Sequence, residues 1–166
     1  MIYRYTMKGK PPSTRQKLIV YGVIIAIVAI VLIVNLSKDS DLKPVAEPRS
    51  GEILSGIEVY DGSIITITAP SRESCVVKLK TLSGVERLSF YVRAGDTVTV
   101  GVPCEYLQVY FASGSTWYGN KHLFGENTAY AKDNKALDFV KYTWEYTLRP
   151  VGDGNFSQTP IGEDEF

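Results

Sequence analysis

Residues 88–111 read LSFYVRAGDTVTVGVPCEYLQVYF, and their alternation decides the fold. Leu88, Phe90 and Val92 alternate with Ser89, Tyr91 and Arg93. After Ala94-Gly95-Asp96 the rhythm resumes: Val98, Val100 and Val102 alternate with Thr97, Thr99 and Gly101. Beyond Pro103, Leu107, Val109 and Phe111 alternate with Gln108 and Tyr110. Successive side chains of a strand point to opposite faces, so a period of two gives one apolar face. The β-branched and aromatic residues suit a pleated surface, and the Gly and Pro breaks supply the turns.

The same pattern continues on both sides. Ile65, Ile67 and Ala69 alternate with Thr66 and Thr68; Cys75, Val77 and Leu79 alternate with Lys78 and Lys80. Near the other end, Val140, Tyr142, Trp144, Tyr146 and Leu148 form a further alternating set. Asp61-Gly62, Ala69-Pro70-Ser71 and Ser83-Gly84 separate the segments, and a weaker strand fits Ile53–Val59. No helical period occurs after Leu36. The reading is an all-β, antiparallel, two-sheet sandwich of about seven strands over 51–149.

Residues 112–137 interrupt the rhythm with Trp117, Tyr118, Phe124 and Tyr130 set among Gly, Asn and Lys. So long a connection inside a domain needs its own explanation. Either short strands lie near Thr116–Tyr118 and Thr128–Ala131, or the segment is an ordered excursion over one end of the sandwich. The polar stretch 150–166, with Gly152, Gly154 and Pro160, reads as a partly disordered tail.

The N-terminal part is of another kind. Leu18–Leu36, LIVYGVIIAIVAIVLIVNL, carries no charge over 19 residues. As a helix it spans roughly 28 Å, the thickness of a bilayer's hydrocarbon core. The run exceeds a signal peptide's apolar region, and no small-x-small cleavage pattern follows it. A single transmembrane helix over 18–36 is the expectation, with the lipid bilayer as its partner. The whole chain balances 18 basic against 18 acidic residues. Yet Arg4, Lys8, Lys10, Arg15 and Lys17 precede the apolar run with no acid among them. This places residues 1–17 in the cytoplasm and the β domain outside. Residues 37–50, SKDSDLKPVAEPRS, read as an extended, solvated spacer. Gly22, Ala26 and Ala29 share one helical face, a small-residue stripe suited to forming a homo-oligomer.

Chemistry-bearing motifs are sparse. Cys75 and Cys104 are the only cysteines, and both fall outside the membrane. In an oxidising compartment they either bridge as a disulfide or serve as a core residue and a turn residue. The one histidine, His122, follows both cysteines, whereas a sortase-like enzyme places its His before the nucleophilic Cys. No catalytic set is assigned, and the chain is read as non-enzymatic. One His and two separated Cys make no metal site, and no cofactor is expected. The 13 basic and 18 acidic residues from Lys38 onward leave that part negative, which disfavours nucleic acid. Trp117, Tyr118, Asn120 and His122 form the candidate ligand-binding set, with Lys121 between them. The two rings either offer flat faces to a sugar or peptide or plug the open end of the sandwich.

A resemblance adds to this. Phe90–Val100, Val102-Pro103-Cys104-Glu105-Tyr106, Tyr110–Gly119 and Leu123-Phe124-Gly125 together resemble membrane-anchored extracytoplasmic proteins of Gram-positive gut bacteria. Some of those carry a zinc ribbon before the membrane helix; no Cys precedes Leu18 here. The rhythm Val-Pro-x-x-Tyr-x-Val-x-Tyr is more loosely similar to transthyretin-like and carboxypeptidase-regulatory-like sandwiches. The resemblance covers about 51–160 and carries over no catalytic residue. The functional expectation is a membrane-anchored interaction module contacting envelope polymer or a protein partner. The alternative is a structural or self-associating membrane subunit, with a sortase-like envelope enzyme third.

Overall fold

A computed structural model describes residues 42–59, 62–148 and 157–166. Residues 1–41 lie outside them, so the membrane-helix expectation for 18–36 does too. No helix among the described residues is long and apolar enough to cross a membrane. Leu42–Phe166 forms one compact unit.

That unit is all-β and mostly antiparallel. Its strands are β1 (Ile53–Gly56), β2 (Ser63–Thr68), β3 (Ser74–Thr81), β4 (Glu86–Val92) and β5 (Thr97–Val102). They continue with β6 (Tyr106–Gly114), β7 (Ala129–Asp133), β8 (Leu137–Asp138), β9 (Trp144–Thr147) and β10 (Gln158–Pro160). A seven-stranded sheet runs β1-β4-β3-β6-β7-β10, with β8 beside β6, and a three-stranded sheet runs β5-β2-β9.

The alternating apolar residues meet between the sheets. Ile65, Ile67, Val100 and Val102 from the small sheet share one buried core with Val77, Leu79, Phe90, Val109 and Phe111. On the other face of the small sheet, Thr66 bonds Thr99 and Thr68 bonds Thr97, each at 2.9 Å. Such cross-strand pairs pin register, and a slip of one residue would turn the isoleucines outward. A buried tie joins the layers: the Tyr146 hydroxyl on β9 donates to Asp133 Oδ2 on β7 at 2.6 Å. Burial first, and this bond second, drive the Tyr146 pKa upward.

Four expectations need correction. The last alternating set yields only β9, and β9 pairs with β2 in parallel, from Trp144 opposite Ile65. Val140 and Tyr142 are 57% and 58% exposed. Asp138 Oδ1 accepts the Val140 and Lys141 N–H groups, making a turn where a ladder was expected. Second, residues 157–166 are not a loose tail: β10 pairs with β7, and Phe166 packs 5.3 Å from Tyr130.

Third, the stretch before β1 is strapped down where a solvated spacer was expected. Val45 N donates to Trp117 O, and the Arg93 guanidinium donates to the Pro48 and Glu47 carbonyls. Fourth, β4 is buried on both faces, from Leu88 through Val92. Tyr91, expected outward on a half-solvated strand, is fully buried. Something covers the sheet's second face.

Candidate functional site

The cover is the aromatic excursion. Val76 on β3 lies opposite Tyr91 on β4 and Ala112 on β6, all on the outer face of the large sheet. Trp117 and Phe124 pack onto these three as a second buried cluster. The Trp117 ring stands edge-on to Tyr91 at 4.9 Å and to Phe124 at 5.4 Å. The packing requires Gly114 beneath it, since a Cβ there would overlap the Phe124 ring. Trp117 is only 3% exposed, so its rings offer no flat face to a ligand. It covers the sheet's broad face, not the end of the sandwich.

Beyond Trp117 the chain closes on itself. Tyr118 N donates to Leu123 O at 2.7 Å, and Leu123 N donates to Gly119 O at 2.8 Å. Tyr118 is half-buried, and its ring lies against Gly125. Asn120, Lys121 and His122 form the exposed tip. Leu123 takes φ 47°, the only positive φ at a non-glycine among the described residues. A bulky residue is rarely left-handed; such strain of order 1–3 kcal/mol persists where the surroundings over-determine it and clusters at binding sites.

Leu123 borders a cleft of about 270 Å³ on that outer face. Lys78 and Val76 of β3 and Glu86 and Ser89 of β4 form its floor, Leu54 and Ser55 of β1 one side. Asn120 and Lys121 rim it, and Tyr130, Glu163 and Phe166 close the remaining side. Of the candidate ligand-binding residues, Asn120 alone reaches it. Neither Trp117, Tyr118 nor His122 lines it.

The floor is ionic. Lys78 Nζ sits 3.2 Å from Glu86 Oε2. Burial pushes the Glu86 carboxyl up, but the Ser55 hydroxyl, the Lys78 charge and Ser89 outweigh it, leaving its pKa below the usual 4.5. Lys78 also donates to the Phe166 backbone oxygen at 3.0 Å and lies 4.2 Å from the centre of that ring. The outward placing of Lys78 and Lys80 is visible in the alternation of β3. The meeting of Lys78 with Phe166 and of Lys80 with Glu165 is not, because the return of residues 157–166 creates it.

The thiols are separate. Cys75 is buried in the core, Cys104 is exposed, and both are free. Cys75 lies opposite Ser113, near the end of β6, whereas Cys104 precedes that strand's first residue, Tyr106. The seven steps between Tyr106 and Ser113 span roughly 23 Å at a strand's rise. A disulfide needs Cα atoms within about 7 Å, so the bridging alternative is corrected. Among the described residues no three His, Cys, Asp or Glu side chains converge as metal ligands.

Comparison with protein-family models, with curated proteins and with solved structures finds no match to this chain.

Proposed function

We propose that the chain is a single-pass membrane protein whose β-sandwich acts outside the membrane as a non-enzymatic interaction module at the cell envelope. Its contact surface is the outer face of the seven-stranded sheet, where the cleft lies. The observation carrying this reading is the strained Leu123 loop (φ 47°) holding Asn120 and Lys121 over a paired Lys78–Glu86 floor. A loop that stores strain while presenting exposed polar groups beside a concavity suits recognition. The partner class it suits is hydroxyl- and amide-rich envelope polymer or a protein segment, since the lining mixes donors, two carboxylates and aromatic faces. Anchorage rests on the uncharged run Leu18–Leu36 behind five basic residues.

Two measurements test it. A reporter active only outside the cytoplasm, fused after Phe166, should be active; activity of a cytoplasm-only reporter instead overturns the topology. The full chain should sediment with purified cell-wall material. Asn120→Ala combined with Lys121→Ala should weaken that association with an unchanged melting temperature, because both side chains are exposed. Undiminished association would remove the cleft from the account.

A further inference from the structure

The outer face holds more positive charge than the cleft alone uses. Lys78 and Tyr110 face each other across β3 and β6, and Tyr110 faces Lys132 across β6 and β7. Lys80 lies on the outward side of β3, its ammonium 4.5 Å from the Tyr110 ring centre. Burial first, and the Lys78 charge second, lower the Lys80 pKa, with Glu86 and Glu165 acting the other way. Cations held this close favour an anion between them.

Two residues of the returning segment meet this demand. Lys80 Nζ donates to Glu165 O at 2.7 Å, and Lys132 Nζ pairs with Glu165 Oε2 at 2.9 Å. Phe166 follows, its backbone oxygen and ring both engaged by Lys78 and its ring against Tyr130. The segment enters as a strand, Gln158–Pro160, antiparallel to β7. The occupant is therefore an extended piece of chain followed by Gly162-Glu-Asp-Glu-Phe166: edge pairing, then acid, then aromatic.

The contacts that hold it, the β10–β7 ladder, the Asn134 bonds to Ser157 and Thr159 and the lysine contacts to Glu165 and Phe166, lie largely at the surface. All three residues of β10 are exposed, and only Ile161 and Phe166 of 157–166 are even half-buried. Pro160 has no N–H to give the ladder. Exposed ion pairs contribute little, and elements with few buried contacts open at low cost. The arrangement has the parts of strand addition to a sheet edge, with main-chain pairing for affinity and side-chain contacts for specificity.

We propose that the lysine-lined outer face of β3, β6 and β7 is a receptor for an extended acidic peptide with an aromatic residue, borne by another protein. Residues 158–166 hold that place in cis. The inference rests on the reading of this face as the contact surface, and narrows the partner to an acidic, aromatic-bearing strand. Release of residues 158–166 also removes Glu163 and Phe166 from one side of the cleft, so an incoming strand both replaces β10 and reshapes the cleft.

The test uses the full chain and a fluorescent peptide of sequence SQTPIGEDEF, matching residues 157–166. Weakening the cis segment by Glu165→Lys with Phe166→Ala should tighten peptide binding about tenfold or more, because the competent state is no longer occupied. Lys80→Glu with Lys132→Glu should abolish binding, and added salt should weaken it. In the unaltered chain, excess peptide should speed hydrogen exchange at residues 158–161, a readout that holds even if the weakened variant misfolds. Equal affinity for both chains, or unchanged exchange, overturns the proposal. A doubled mass that Glu165→Lys reverts would assign the face to a second copy of this chain and overturn the partner named here. Sedimentation with cell-wall material runs in parallel: its persistence without peptide binding sinks this inference alone, and loss of both sinks the parent reading too.

Discussion

Cys75 and Cys104 show how burial divides two identical side chains. Burial pushes the Cys75 thiol from the usual 9.0 up to about 12, while Cys104 is exposed at the turn between β5 and β6. The thiolate is the reactive form. Alkylation of the native chain should therefore modify Cys104 alone, and Cys75 should label only after unfolding, as read by mass. Protection of both thiols until a reductant is added would contradict the separation along β6. The inward facing of Cys75 was legible from its alternation with Val77 and Leu79. Its distance from Cys104 was not, because that depends on which strand lies between them. Tyr91 departs from its pattern for a related reason: alternation marks it as outward, and outward normally means solvated. Here its hydroxyl is buried beside Ser74, under a cover that no local pattern announces.

The aromatic segment between β6 and β7 is the element that changes the account most. Its sequence left a ligand platform and a plug both open, because large aromatics with neighbouring glycines serve either. Trp117, 3% exposed between Tyr91 and Phe124, is a packing residue. Trp117→Ala should cost roughly 3–5 kcal/mol, a large share of a small domain's stability. Tyr118→Ala, at a half-buried ring, should cost clearly less in the same thermal or denaturant melts. Near-equal, small losses would restore the platform. Of the strands, those from Ser63 to Gly114 were legible because each places an apolar set in one core. The suggested strand near Thr128–Ala131 is found as β7, whereas Thr116–Tyr118 is irregular. The shortening of β9 was hidden in the Asp138 side chain, which takes backbone donors that a ladder would use. The parts that pattern missed, residues 42–50 and 157–166, are held by scattered hydrogen bonds, ion pairs, ring contacts and a three-residue ladder too short to leave a periodic trace.

Across the whole domain, buried Cys75, Tyr91 and Tyr146 predict a loss of stability at alkaline pH. The folded pKa values of Cys75 and Tyr91 rise from 9.0 and 10.0 to about 12, and that of Tyr146 rises as well, each chiefly through burial. Above pH 9 the unfolded chain loses these protons before the folded one does. Stability from these groups is thus fully present below pH 9 and is lost as pH climbs towards 12. Glu86, lowered by its partners, acts in the opposite sense and withdraws its contribution as pH falls below 4.5. Melts at graded pH should show a steep alkaline loss, and a flat profile up to pH 12 would contradict the burial of the three groups. The fold class and the inward faces were legible because they rest on alternation. The cleft was not, because it is assembled from β1, β3, β4, the 119–124 loop and the returning segment, which lie far apart in sequence. That this outer face carries the function is best tested by hydrogen exchange on the full chain, with and without solubilised cell-wall fragments. The account predicts slowed exchange at residues 119–124 and along β1, with β2, β5 and β9 unchanged. Protection confined to the three-stranded sheet, with none around the cleft, would contradict it.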